Sequence, residues 1–175
     1  MPTYSSKWVG VVCAVGLLVM GTAAGQQPEW QGFEEALTVA DSTGRFVMVA
    51  VHAPWCGWCH KMESDVYSSA GVRRCVSESF VATRLNRDDT DTRYRYRGRR
   101  RTPRALAAAF QADGVPATVL LSPEGEYLLH LSGFVEAEAL RVLLAYMSTH
   151  AHRDQSYDAF RADPAGCRSQ SAGPR

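Results

Sequence analysis

Apolar positions recur along the chain at two periods. Phe33, Ala36, Leu37 and Ala40 repeat at helical spacing up to Gly44, and a continuous β-prone run follows, Phe46-Val47-Met48-Val49-Ala50-Val51. Such a run suits a central strand buried on both faces. Pro54 stops it, and residues 56–67 predict a helix. Val72, Val76 and Phe80 mark a further short helical piece, and residues 80–85 a second strand. Residues 104–111 predict a helix with Leu106 and Phe110 on one face. Gly114-Val115-Pro116 turns into a strand over 117–121, and Ser122-Pro123-Glu124-Gly125-Glu126 is a hairpin turn that returns the chain as a strand over 127–131. Ala139, Leu140, Leu143, Leu144 and Met147 form the apolar stripe of a last helix beginning near Glu136. The order helix, strand, helix, strand, helix, strand, strand, helix predicts an α/β domain whose sheet has parallel pairs and an antiparallel edge.

The flanks differ from this pattern. Lys7 precedes the apolar run from Trp8 to Met20, and small residues, Gly21-Thr22-Ala23-Ala24-Gly25, follow it. One positive charge, an apolar stretch and a small-residue exit are the features of a secretory signal peptide, cleaved after Ala24 or Gly25. An uncleaved anchor is the alternative, though the run is short of the roughly 20 residues a bilayer needs. The expected organisation is a leader over 1–25, a domain over 26–149 and a polar, loosely ordered tail over 150–175, with Tyr157 and Phe160 as the tail's docking residues. His150 and His152 are read as tail residues rather than metal ligands. The compartment is then periplasmic or extracellular.

Composition and charge sharpen this picture. The 175 residues, 46% hydrophobic and 21% charged, suit one domain with a core. The leader carries one of the 19 basic residues and none of the 18 acidic ones, so the remainder is neutral. Neutrality and export both argue against nucleic-acid binding. The average hides one segregated stretch: Arg84 to Arg104 holds nine arginines and three aspartates, a local +6. Its core, 86–103, reads as an exposed Arg/Tyr-rich insertion loop, either simply solvated or facing an anionic partner. The leader also removes Cys13 from the five cysteines, leaving Cys56, Cys59, Cys75 and Cys167 where disulfides can persist.

Cys56-Gly57-Trp58-Cys59 follows the buried strand and opens a helix. A sulfur at a helix start meets unpaired N–H groups and the positive end of the macrodipole, which favours the thiolate. Cys56 is therefore the expected nucleophile toward a disulfide, and Cys59, one turn inward, the thiol that resolves the mixed disulfide. Cys75 is read as a small buried apolar residue and Cys167 as an idle tail thiol; a disulfide tying down the tail is the alternative.

Ala53-Pro54-Trp55-Cys56-Gly57-Trp58-Cys59-His60-Lys61-Met62 resembles the active-site segment of the thioredoxin superfamily, and Gly114-Val115-Pro116-Ala117-Thr118 resembles that fold's cis-proline loop. Within the superfamily, residues 46–63 are more similar to secreted thioredoxin-like proteins related to the C-terminal domain of the bacterial transmembrane disulfide reductase. The resemblance implies a thioredoxin fold, a central mixed sheet flanked by helices, over roughly residues 30–148. It also implies a redox-active Cys56–Cys59 disulfide, a cis Pro116 packed against it, and substrate positioning by Val115, Trp55, Gly57 and Trp58. It further implies exported protein substrates with disulfides and re-reduction by a membrane-bound thiol donor, since the chain has no nicotinamide or flavin motif of its own. No cofactor or metal is expected; His60 beside Cys59 is poorly spaced for zinc.

The chain also departs from thioredoxin. Ala50 stands where thioredoxin has a buried Asp, leaving His52 or Glu63 as candidate proton carriers. Ser64 stands in place of a kinking proline, and the Cys56-to-Pro116 spacing is widened by the Arg/Tyr-rich stretch. Trp58 stands where strong oxidants of the superfamily have histidine, which predicts a more reducing pair, with His60 restoring part of the cationic effect. Finally, Cys56-Gly57-Trp58-Cys59-His60 also fits the C-x-x-C-H pattern of covalent c-type haem attachment, with His60 as axial ligand. The preceding strand and the Gly-Val-Pro segment favour thiol chemistry over this alternative.

Overall fold

The computed structural model describes residues 27–167. The expected leader, with Lys7 and Cys13, and the last residues of the tail lie outside the described residues. Among the described residues no helix is long and apolar enough to cross a membrane.

A five-stranded mixed sheet forms the centre, in the order β1-β3-β2-β6-β7, with β1 at Trp30–Gln31, β2 at Phe46–His52, β3 at Phe80–Asn86, β6 at Ala117–Leu121 and β7 at Tyr127–Ser132. The remaining strands, β4 (Tyr94–Tyr96) and β5 (Arg99–Arg101), form a separate two-stranded hairpin. β2 pairs in parallel with β3 and antiparallel with β6. Strand alternation sends successive β2 side chains to opposite faces. Val47, Val49 and Val51 join a core with Phe33, Leu106 and Phe110, under α1 (Phe33–Thr43) and α4 (Pro103–Ala109). Phe46, Met48 and Ala50 join a second core with Val76 and Leu144, under α3 (Ala70–Ser79) and α5 (Ala137–Ser148). The unbroken apolar run in β2 is thus the sequence trace of a strand covered on both sides. Gly44 ends α1 in the left-handed region, at φ 70, where a side chain would be strained.

Several expectations need correction. The segment before α1, for which the pattern predicts no element, contributes β1, which pairs with β3 through Trp30–Ala82 and Gln31–Thr83. The Arg/Tyr-rich stretch is not simply a loop: β4 and β5 are joined by a tight turn with Arg97 and Gly98 both at positive φ, as a two-residue hairpin requires. Within the described residues the tail has regular structure of its own. Ala151–Arg153 forms a 3-10 turn, and α6 (Tyr157–Ala162) docks Phe160 against Val142 and Ala145. Cys75, buried in α3, is disulfide-bonded to Cys167 with a Cα–Cα distance of 5.1 Å, so Cys167 is not idle.

Candidate active site

The buried strand β2 ends at His52, and the chain then turns through Pro54 into α2 (Gly57–Lys61). Cys56 is the N-cap of that helix, and its Sγ accepts a hydrogen bond from the Cys59 backbone N–H at 3.0 Å. A donor aimed at sulfur stabilises a negative charge there once the pair is reduced. Cys56 and Cys59 are bonded to each other, Cα–Cα 5.2 Å. The helical reading of 56–67 holds, with a change of winding halfway. Met62–Tyr67 winds as a π-helix, and Ser64, in thioredoxin's proline position, lies inside it. The irregularity therefore comes from a wide turn rather than a proline kink.

Sheet register brings the second expected loop to the same place. Val51 pairs with Ala117, so Val115 and Pro116 lie where β2 ends. Val115 packs on the small cluster of Ala53, Cys56 and Cys59, and the Val115–Pro116 bond is cis. The two sulfurs are largely buried, at 4% and 7% for their residues, whereas Trp55 and Trp58 are 67% and 57% exposed. Two uncovered indoles flank a nearly covered disulfide. Trp58 leans on Phe134, ring centroids 5.5 Å apart. Gly57 is open around its Cα, with nothing within 4 Å of where a Cβ would stand.

Behind Cys59 a small cleft is lined by His52, Glu63, Tyr67, Arg84 and Pro116. With Ala50 supplying no carboxylate, the charge here is an ion pair between Glu63 and Arg84, and the Arg84 guanidinium lies 4.2 Å from the Trp30 ring. Burial and the neighbouring Arg84 cation push the His52 imidazole below its ordinary pKa, which favours the neutral ring. Burial pushes the Tyr67 phenol up to about 12, and its hydroxyl hydrogen-bonds that of Thr118 at 2.7 Å. His52 and Glu63 thus both line this cleft, and His60, largely exposed, stands at its edge.

One of the two indoles is held by a bracket that the sequence did not suggest. Trp55 donates from its indole nitrogen to Asp88 at 2.6 Å. Arg87 binds the other Asp88 oxygen through two nitrogens, at 3.2 and 3.0 Å, and donates to the Asp113 carbonyl at 2.6 Å. The bracket thereby joins the cysteine loop to the segment leading into Val115 and Pro116. The bonds from Trp55 and Arg87 hold the Asp88 carboxyl below the usual carboxylate range. Trp55 and Asp88 are 33 residues apart, and no local pattern marks such a pair.

Residues 33–148 match the family described as thioredoxin-like domain. By sequence, the chain is 29% identical over 133 residues to the thiol:disulfide interchange protein DsbD of Ralstonia nicotianae, a match covering 69% of this chain and 20% of that protein. The chain therefore spans about a fifth of that relative's length. Among solved structures, it is similar to a DsbH oxidoreductase, with a TM-score of 0.52 and 19% identity over 73% of this chain and 90% of that one. It is also similar to a thioredoxin from Thermus thermophilus, with a TM-score of 0.51 and 24% identity over 74% and 98% of the two chains. The mixed sheet, the cysteine pair at the start of α2 and the matched family agree: the chain belongs to the thioredoxin-like domain family.

Proposed function

We propose that this protein is an exported thiol–disulfide oxidoreductase that reduces disulfides of other extracytoplasmic proteins through Cys56 and Cys59. The observation that carries the reading is the disulfide at the start of α2, packed against Val115 and flanked by two exposed tryptophans. The family and the similarity to a disulfide interchange protein support the same chemistry.

In the reduced protein the Cys56 thiolate attacks one sulfur of a substrate disulfide. A Cys56–substrate disulfide forms, and the other substrate sulfur leaves as a thiolate. Cys59, deprotonated, then attacks the Cys56 sulfur. The Cys56–Cys59 bond forms, the mixed disulfide breaks, and the substrate leaves with two thiols. Two electrons have moved to the substrate, and a membrane-bound thiol donor supplies two more to re-reduce the pair. Val115 and Pro116 position the substrate chain, Gly57 leaves room beside the sulfur, and Trp55 and Trp58 supply the apolar rim. The neutral His52 imidazole and Glu63 stand in the cleft behind Cys59, where a proton must be accepted for the second attack.

The reducing direction rests on Trp58, which puts no cation between the cysteines to stabilise the thiolate form. Equilibration with glutathione tests it. A potential well below that of strong periplasmic oxidants, near −120 mV, is expected; a value equal to theirs would reverse the direction. The exchange itself is tested with insulin. Cys56→Ser should abolish its reduction, and Cys59→Ser should accumulate mixed disulfides with substrate. Full insulin reduction by both variants would end the reading.

A further inference from the structure

The +6 stretch from Arg84 in β3 to Arg104 in α4 is not absorbed by the redox chemistry, and its construction is unusual. On the inner face of the β4–β5 hairpin, Tyr94 and Tyr96 stack around Phe33, at centroid distances of 5.4 and 6.0 Å. Tyr96 also meets Phe110 at 5.3 Å and donates its hydroxyl hydrogen to the Gly125 carbonyl at 2.7 Å. The Arg97–Glu126 ion pair ties down the tip. The hairpin is therefore a fixed, core-anchored element.

Its outer face carries Arg95 and Arg100, which alternation turns away from the tyrosines. They are directly opposite each other in the antiparallel register, and both are exposed. Like charges at such a cross-strand position are destabilising. The Arg95 and Arg100 guanidiniums have no carboxylate within ion-pair distance among the described residues; Glu34 accepts from the Arg95 backbone N–H. A chain whose formal net charge is only +1 thus holds a concentrated cationic face against its own repulsion, on an element anchored by aromatic packing. The face is also rooted at the site: the Arg104 N–H donates to the Asp89 carbonyl at 3.3 Å, and the adjacent Asp88 holds Trp55.

We propose that the outer face of the β4–β5 hairpin, centred on Arg95 and Arg100, is a docking surface for acidic polypeptide, and that it makes proteins with Asp/Glu-rich sequence near their disulfides the preferred substrates. The inference rests on the oxidoreductase reading above. Its chemical basis is charge complementarity: carboxylates laid over the face pair with the guanidiniums and relieve the Arg95–Arg100 repulsion. Their long-range attraction also raises the encounter rate. A polypeptide fits better than a membrane, because the hairpin is tied at its base, through Asp89, to the segment that holds Trp55, and it exposes no large apolar side chain for insertion.

The test uses the reduced protein and two synthetic peptides with the same central disulfide, one flanked by glutamates and the other by glutamines. At low salt the acidic peptide should be reduced with a kcat/KM on the order of 10-fold higher. The advantage should fade as ionic strength rises toward 0.15 M and the screening length falls to about 8 Å. Arg95→Glu with Arg100→Glu should abolish or invert the preference and leave reduction of the glutamine peptide unchanged. Arg95→Gln with Arg100→Gln should weaken the preference and provides a milder variant should the charge reversal disturb the hairpin. Equal rates for the two peptides with the unaltered protein, or a preference that survives both double variants, would overturn the proposal. So would arginine-dependent binding to phosphatidylglycerol vesicles, or an arginine-dependent dimer at low salt, in the absence of a peptide preference; these would assign the face to a membrane or a second copy. Failure to reduce the glutamine peptide and insulin at all would instead contradict the oxidoreductase reading.

Discussion

The two disulfides have nearly the same span, 5.2 and 5.1 Å between Cα atoms, and opposite settings. Cys56–Cys59 closes a loop across a separation of three residues, so breaking it releases almost no chain. Cys75–Cys167 closes a separation of 92 residues and holds the segment after α6 against α3. In the chain-entropy account, a crosslink of that size destabilises the unfolded chain by roughly 4–5 kcal/mol. Burial does not separate the two, because Cys56, Cys59 and Cys75 are all nearly covered. What separates them is the surroundings. Cys56 has a backbone donor on its sulfur and two exposed tryptophans beside it, whereas Cys75 sits within the core shared by α3 and α5. Reactivity follows from helix position and rim, and stability from loop length.

The largest effect that could break this contrast is on turnover. Cys56→Ser should reduce insulin reduction to the uncatalysed background while the thermal transition stays nearly in place; an unfolded variant would make Cys56–Cys59 a structural bond. The converse variant, Cys75→Ala with Cys167→Ala, should lose about 4 kcal/mol of stability, a fall in Tm of roughly 10–15 °C by calorimetry. Below its transition it should still reduce insulin at the original rate. Loss of activity in that folded variant would show that the second disulfide shares in the chemistry.

A smaller change sharpens the role of the rim. Asp88→Asn keeps the shape but weakens both the Trp55 and the Arg87 bonds, so KM for a protein substrate should rise several-fold with kcat little altered, and Trp55 fluorescence should shift. The ionised Asp88 has a depressed pKa, so the bracket is present above the ordinary carboxylate range and is lost as pH falls through the folded-state value. The fluorescence shift should therefore appear in the original protein only on strong acidification, and a shift near neutral pH would contradict it.

The smallest effect concerns His52. Its pKa is lowered in the folded protein, so below about pH 6.5 the unfolded chain takes up the proton more readily. Stability should therefore decline as pH falls below that value and level off beneath the folded pKa. His52→Asn should flatten this limb in urea titrations at a series of pH values, and an unchanged limb would place the titration elsewhere.

What was legible in the sequence follows the range of the interactions involved. The strand at 117–121 coincides with β6, and the run in β2 announced its two-sided burial, because both are set by local pattern. The cysteine pair and the Gly-Val-Pro segment were readable as motifs, and strand register then juxtaposed them. β1, two residues long, exists only through its pairing with β3 and left no periodic trace. The hairpin was missed because its charges outnumber its anchors. Tyr94 and Tyr96 do alternate with arginine at strand period, and that was the available signal. The Cys75–Cys167 bond was open to the sequence only as the alternative to an idle tail thiol, and the Trp55–Asp88–Arg87–Asp113 bracket joins distant positions that no local pattern pairs.

The most direct measurement follows all four cysteines through one turnover. The protein is mildly reduced, mixed with insulin, and alkylated before and after, and the labelled cysteines are located by mass spectrometry. Cys56 and Cys59 should be labelled before insulin is added and protected afterwards, in step with the appearance of insulin thiols, while Cys75 and Cys167 stay unlabelled throughout. Labelling of Cys75 and Cys167 that rises and falls with insulin reduction, or a Cys56–Cys59 pair that never changes state, would contradict the assignment of one disulfide to chemistry and the other to the fold.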